Sequence, residues 1–494
     1  RDRLRSRGLG DVYKRQVQYG EIKYMNYGCV EKNASIEKND IVGIYGQNGS
    51  GKTAMIEALD ILRCVLSGLA IEYSEVEGLI DDDKRTKMTT TFFVQKNGKK
   101  YKVQYSFGLV KSVSDKSIQI VHEELVYWRR GKTWKTRRAF SFENKYYNTE
   151  AILFESPATF ESDHLKAFPN MNFLSQANQA QKLAIVCAQK KTSVFFNDLL
   201  IATIKNSENE YEEEETIFSD IINSLFDFGR LYFQVVKVNQ LGAINNNRVI
   251  PVNIHSETGN IIMQGCLPMF MTGHADIDED MYNQLCHATE AINIALKAII
   301  PNLQIEIQKT SDEINDEGKR IIQIDVYSLR NEKRFLTKYE SEGIKRIVSL
   351  LNYLIAFYNS PEICLVVDEL DAGIFEYLLG EILGVLNQEA KGQLIFTSHN
   401  LRILEKLDNT NIVCSTINPN NRYIRLKGIE KNNNKRDFYI RSIVVGGQNE
   451  ELYDDTDLQS IGYAFRKASR KDAKSKLKFS SQIQELLNKH SEDD

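Results

Sequence analysis

The sequence predicts an α/β protein built around a phosphate-binding P-loop, with a mixed sheet, an antiparallel β-hairpin layer and a mainly helical insertion. Three observations lead there. An apolar strand at 41–45 runs into a glycine-rich turn and an amphipathic helix at 53–66. A second apolar strand at 363–367 ends in two carboxylates. The lysine of the turn and the first carboxylate are 368 − 52 = 316 positions apart. A chain of 494 residues with 42% hydrophobic content can bury a sizeable core, which excludes wholesale disorder.

Taken in order, residues 1–16 are basic and lack helical or strand periodicity, so they are expected to be a disordered or non-native leader outside the fold. From 17 to 119 the pattern is that of a first half-domain. Short strands fall at 22–25 and 29–36, followed by the apolar strand at 41–45. Apolar residues at 56, 59, 62, 65 and 66 then give helical spacing. Residues 89–110 alternate apolar and polar around Asn97-Gly98, which predicts a hairpin. Over 120–300 the texture is expected to be mainly helical (179–203, 216–228 and 279–299), with an acidic run at 208–215 read as solvated. Strands return at 303–307, 321–327, 363–367, 394–396 and 412–414, completing a second half-domain over 301–465. A polar tail follows at 466–494.

Composition narrows the function classes. Lys+Arg 63 against Asp+Glu 67 leaves −4, unlike a globally basic nucleic-acid binder. Seven scattered cysteines with no Cys-x-x-Cys pair point to free thiols in a reducing cytoplasm. No apolar run approaches the ~18–20 residues of a membrane span.

The strongest motif is Gly46-Gln47-Asn48-Gly49-Ser50-Gly51-Lys52-Thr53, placed between strand and helix. Its glycines let backbone N–H groups turn toward phosphate oxygens, and the helix N-terminus adds partial positive charge. Lys52 is expected to reach the β/γ-phosphates of ATP and Thr53 to ligand Mg²⁺. Asp368 would hold the metal, and Glu369 would polarise the attacking water as general base.

Four further stretches carry a resemblance. Tyr339-Glu-Ser341-Glu-Gly343-Ile-Lys-Arg346 is similar to a Ser-x-Gly-x-x-Arg signature, and Asp371 in Asp-Glu-Leu-Asp-Ala-Gly matches a D-loop. Leu394-Ile-Phe-Thr-Ser-His399-Asn is similar to a strand carrying a switch histidine, and 436–453 to a family C-terminal segment. The chain thus resembles the ABC-type "AAA family ATPase" proteins of bacteria and phages, relatives of SMC and OLD-family heads, without a Toprim nuclease domain. The resemblance covers roughly 17–115 and 300–465.

That resemblance implies an ATPase working as a head-to-head homodimer. Lys52, Thr53, Asp368, Glu369 and the γ-phosphate sensor His399 would act from one subunit, and Ser341 to Gly343 from the other. It also implies antiphage defence or DNA transactions, with a separate effector protein. The alternative is a nucleotide-gated scaffold that sequesters a toxin, with incidental hydrolysis; a transporter subunit fits less well because Glu342 stands where a glycine is usual. Gln95 and Gln104 are candidates for coupling nucleotide to the insertion. Cys266, His274, Cys286 and His287 are spaced too irregularly for a metal site, and the Asp-x-Asp at 455–457 reads as a solvated turn. The basic stretch 129–138, with Trp134 inside it and Trp128 beside it, reads first as a solvated hairpin and second as a nucleic-acid or acidic-partner contact.

Overall fold

The computed structural model describes residues 25–27, 41–80, 85–96, 99–112, 116–130, 134–143, 159–161, 183, 186–187, 189–206, 213–237, 249–255, 261–268, 275–314, 320–331, 333–418, 421–429, 434–454 and 457–472. They fall into two units, Arg1–Leu452 and Tyr453–Asp494. In the second, the helix Leu458–Asp472 is capped by Asp457, whose carboxylate accepts from Ser460 Oγ and the Gln459 amide.

The larger unit is organised by a six-stranded sheet. Its strands are β1 (Ile41–Tyr45), β2 (Phe233–Val236), β3 (Cys364–Val367), β4 (Gln393–Thr397), β5 (Ile412–Ser415) and β6 (Tyr423–Ile424), in the order β6-β5-β1-β4-β3-β2. All neighbours are parallel except β5 and β6. Every residue of β1 to β5 is buried, as expected of parallel strands covered on both faces. Helices α1 (Lys52–Leu66), α2 (Glu342–Asn359), α3 (Glu376–Glu389) and α4 (Leu401–Lys406) accompany this sheet. Because β1, β4 and β3 are parallel neighbours, the turns that leave them share one edge. These turns carry the P-loop, His399 and Asp368, the arrangement by which open α/β sheets build ligand sites.

A second six-stranded sheet runs in sequence order from Met25–Tyr27 through Thr86–Lys96, Lys99–Ser112, Ser117–Arg130 and Trp134–Glu143 to Thr159–Glu161. The hairpin expected at 89–110 forms its centre; the turn at 97–98 lies outside the described residues. A third, antiparallel sheet holds Ala275–Asp278, Leu303–Ile314, Arg320–Arg330 and Lys333–Leu336.

The stretch 120–300, expected to be a mainly helical insertion, holds both helices and strands among its described residues. Helices Asp198–Asn206, Glu213–Asp227 and Glu279–Ile299 are present, but strands share the stretch with them. The boundary at 120 also falls inside the strand Ser117–Arg130. A bulge hides that strand's alternation: Gly108 pairs with His122 and Leu109 with Ile120, leaving Val121 unpaired. Burial therefore switches from even positions (Ile118, Ile120) to odd ones (Val121, Glu123, Leu125, Tyr127). The strand β2 is hidden differently. A π-helical turn, Phe228–Tyr232, continues the preceding helix straight into it, so the helical pattern runs on to the strand's first residue.

The bulge also turns Glu123 inward, where it is fully buried. Its carboxylate accepts from Tyr105 Oη (2.6 Å), Ser193 Oγ (2.5 Å) and the Val194 amide (2.7 Å). Burial pushes its pKa up to about 7 against these bonds. The loop so anchored reaches α1: Phe196 O lies 2.5 Å from where a Cβ on Gly68 would stand, and Gly68 has φ +68°. Glycine is needed there for both reasons.

Candidate nucleotide site

The P-loop leaves β1 at Gly46 and enters α1 at Lys52. Gly49 (φ +81°) and Gly51 (φ +96°) supply the left-handed turns, and Gly51 is the N-cap of α1 without a side-chain cap. No acidic residue occupies the first turn of α1, so its N-terminal partial charge is left uncompensated by its own sequence. Lys52 is 7% exposed, and its Nζ donates to the carbonyls of Gly46 and Gln47, each at 2.9 Å. Burial lowers its pKa, while Asp368, Glu369 and Asp371 raise it. The ammonium thus sits within the field of all three carboxylates. The Thr53 side chain is exposed at the start of the same helix.

Two strands remote in sequence brace this loop. Ser50 Oγ and Ser415 Oγ are 2.5 Å apart, and Ser415 Oγ donates to Tyr45 O. Tyr423 Oη donates to Gly51 O at 2.6 Å. A Cβ on Gly46 would lie 2.0 Å from Ser415 Oγ. Only glycine fits there.

The acidic turn follows β3. Asp368 is fully buried; Thr397 Oγ1, from β4, donates to its Oδ1 at 2.5 Å, and its Oδ2 has no hydrogen-bond partner. A buried carboxylate oxygen left unmatched is costly unless a cation meets it. Glu369 has φ +47°, a left-handed backbone that costs a residue with a side chain about 1–3 kcal/mol. Its N–H donates to Thr397 Oγ1 (2.7 Å), and its carbonyl accepts from Arg346 Nη2 (3.3 Å). Arg346 Nη2 also donates to Asp368 O at 3.4 Å. Burial pulls the Arg346 guanidinium down to about 10, against the attraction of Glu369, Asp368 and Asp371. Its Nε and Nη1 have no hydrogen-bond partner.

His399 follows β4 with an exposed side chain, and its N–H donates to the Asp371 carboxylate (3.2 Å). Asn48, Glu369, Asp371, Ala372 and His399 together line an open depression of about 310 Å³. The P-loop, the acidic turn with Asp371, and His399 therefore meet at one place, although the sequence spreads them from 46 to 399.

Helix α2 begins beside this turn. Ser341 is its N-cap, with Oγ accepting from the Ile344 amide at 3.4 Å. The Glu342 carboxylate, 68% exposed, is held by Lys345 Nζ at 3.0 Å and so turns back along its own helix. A Cβ on Gly343 would stand 2.2 Å from Gly373 O, so the start of α2 closes directly on the turn that holds Asp371. Gly343→Ala is expected to force the two apart and to cost about 1–3 kcal/mol of unfolding free energy. A denaturant melt reads this, and an unchanged midpoint would mean the contact is slack.

Other expectations fall elsewhere. Gln95 and Gln104 lie half-buried on the hairpin strands, and neither lines the depression. In the basic stretch 129–138, backbone pairs such as Arg130 with Trp134 are in place, but the turn at 131–133 and the side chains lie outside the described residues. Just before it, Lys102 Nζ stands 5.1 Å over the Trp128 ring. No helix among the described residues is long and apolar enough to cross a membrane. Thr397, Ser415 and Tyr423 were not foreseen as site residues, and nothing local in the sequence marks them.

No curated protein matches the chain. Similar solved structures include an Smc head bound to the C-winged helix domain of ScpA (13% identity, 79% of this chain and 91% of that one, TM-score 0.37). Others are an Smc head with a coiled coil and joint from Pyrococcus yayanosii (12%, 82% and 95%, 0.35) and an SMC head from Thermotoga maritima (12%, 79% and 91%, 0.30). The family described as AAA ATPase domain matches residues 20–404, a span that takes in the P-loop, the acidic turn and His399. The chain belongs to the AAA ATPase domain family.

Proposed function

We propose that the chain hydrolyses ATP to ADP and phosphate with Mg²⁺, at sites completed by a second copy of itself. The observation that carries this is that the carboxylates of Asp368, Glu369 and Asp371 all act on the Lys52 ammonium, while Glu369 and Asp371 line one depression with Asn48 and His399. The P-loop amides and Lys52 bind the phosphates. The donors available to the metal are oxygens, which suits Mg²⁺: the Thr53 hydroxyl and the unpartnered, buried Oδ2 of Asp368. When bound, the metal would neutralise charge developing on the β- and γ-phosphate oxygens.

Glu369 accepts a proton from water as the water oxygen bonds to the γ-phosphorus. The bond from that phosphorus to the bridging oxygen breaks, and ADP leaves. His399, on the rim with its backbone tied to Asp371, holds the γ-phosphate. The N-terminus of α2, with Ser341 and Gly343, faces the γ-phosphate of a second copy and makes ATP part of the dimer contact. The setting in antiphage defence or DNA transactions, with an effector protein and with nucleic acid at 129–138, rests on the family resemblance and on local charge.

The test is phosphate release by the purified chain with ATP, with and without EDTA, alongside mass measurement by light scattering. Turnover that needs Mg²⁺ and an ATP-dependent doubling of mass are expected. A chain that stays monomeric with ATP while turning it over would retire the composite site but leave the ATPase reading standing.

A further inference from the structure

The geometry points to Arg346 as a positioning residue for Glu369, through which helix α2 sets the aim of the general base in its own subunit; this rests on Glu369 being that base. The backbone of Glu369 is left-handed at φ +47°, in a residue type that does not favour it. Such a conformation persists only where its surroundings hold it. Two groups do so from opposite sides. Thr397 Oγ1 accepts from the Glu369 N–H, and Arg346 Nη2 donates to the carbonyls of Asp368 and Glu369. Thr397 comes from β4, whereas Arg346 comes from the second turn of α2.

Among the described residues, the Arg346 side chain has no other hydrogen-bond partner than these two carbonyls. Its side chain is 2% exposed, and its Nε and Nη1 make no hydrogen bond. Burying a guanidinium with so few partners is unfavourable, and a methionine or leucine would fill the same space at lower cost. What the guanidinium adds is a grip on the two peptide carbonyls that flank the strained residue.

The same helix carries Ser341 and Gly343 at its start, and Gly343 abuts Gly373 beyond the acidic turn. Helix α2 therefore touches the Asp368–Gly373 turn at both ends. A small displacement of its N-terminus changes both contacts together. In consequence, the element that faces a second copy's nucleotide also governs hydrolysis in its own subunit.

The experiment is a double-mutant cycle on the full chain, with Arg346→Lys in the wild-type and Glu369→Gln backgrounds. Lysine keeps the charge beside the three carboxylates but loses the planar fork. In wild type, kcat should fall about tenfold or more, because the base is misaimed. The Kd for a fluorescent ATP analogue should stay within about twofold. In the Glu369→Gln background the same change should alter the residual rate by less than about twofold, because the two residues act as one unit. Equal losses in both backgrounds, or no loss in wild type, would overturn the inference and mark Arg346 as structural only. If Glu369→Gln alone leaves turnover intact, the base assignment fails instead, and the inference falls with it. Should Arg346→Lys melt at assay temperature, Arg346→Gln, which keeps a donor without the charge, replaces it with the same expected pattern.

Discussion

Glu369→Gln is expected to lower multiple-turnover phosphate release by about 10²–10⁴-fold while nucleotide binding is kept. The carboxamide matches the carboxylate in shape and preserves the hydrogen bonds that hold this residue, because both are made by its backbone. What is lost is the ability to accept a proton from water. The residue lies next to Asp368, whose Oδ1 is engaged by Thr397 and whose Oδ2 is buried, so Asp368 is poorly placed to take over as base. In the proposed mechanism binding depends on the P-loop amides and Lys52, which the substitution does not touch. The variant should therefore hold ATP, and by the proposed mechanism it accumulates as an ATP-bound dimer. Phosphate release and light scattering with ATP read the two consequences separately. A rate within a few-fold of wild type would remove Glu369 from the mechanism and favour a nucleotide-gated scaffold.

The parts of the site that were legible beforehand are those whose chemistry is contiguous in sequence. The P-loop is read from eight adjacent residues between a strand and a helix, and the acidic pair from an apolar run ending in carboxylates. Asp371 and His399 stand out through their resemblance to family motifs, and they come together because β3 and β4 are adjacent parallel strands. The braces were not legible. Tyr423 reaches Gly51 across 372 positions and Ser415 reaches Ser50 across 365, and a tyrosine opening or a serine closing a short strand carries no mark of that contact.

The left-handed backbone of Glu369 was equally hidden, since it is imposed from outside by Thr397 and Arg346 rather than chosen by a glycine. In the fold, the long periodic helices Glu213–Asp227 and Glu279–Ile299 were read closely, because burial of one face leaves a repeating pattern. Strand β2 was missed because four residues behind a π-helical turn offer too short a period to separate strand from helix. The strand Ser117–Arg130 was missed because its bulge breaks the alternation on which strand recognition depends.

Lys52→Ala should abolish turnover and weaken ATP binding by about 10–100-fold or more, the loss expected when charge-assisted hydrogen bonds to phosphate are removed. The argument extends beyond those bonds. Asp368, Glu369 and Asp371 all act on Lys52, so removing its charge leaves three carboxylates facing a polyanionic ligand. Arg346 also feels these three carboxylates, but it is buried and hydrogen-bonded to the carbonyls of the acidic turn. It cannot substitute at the phosphates without giving up Glu369. Burial lowers the pKa of Lys52, and the three carboxylates oppose that shift. Titration with a fluorescent ATP analogue at two salt concentrations measures the effect. The wild type should bind more weakly as salt rises, and the variant should bind weakly throughout with a shallower salt dependence. Binding retained within about twofold would mean that the phosphates lie elsewhere, and would overturn the site rather than one residue of it.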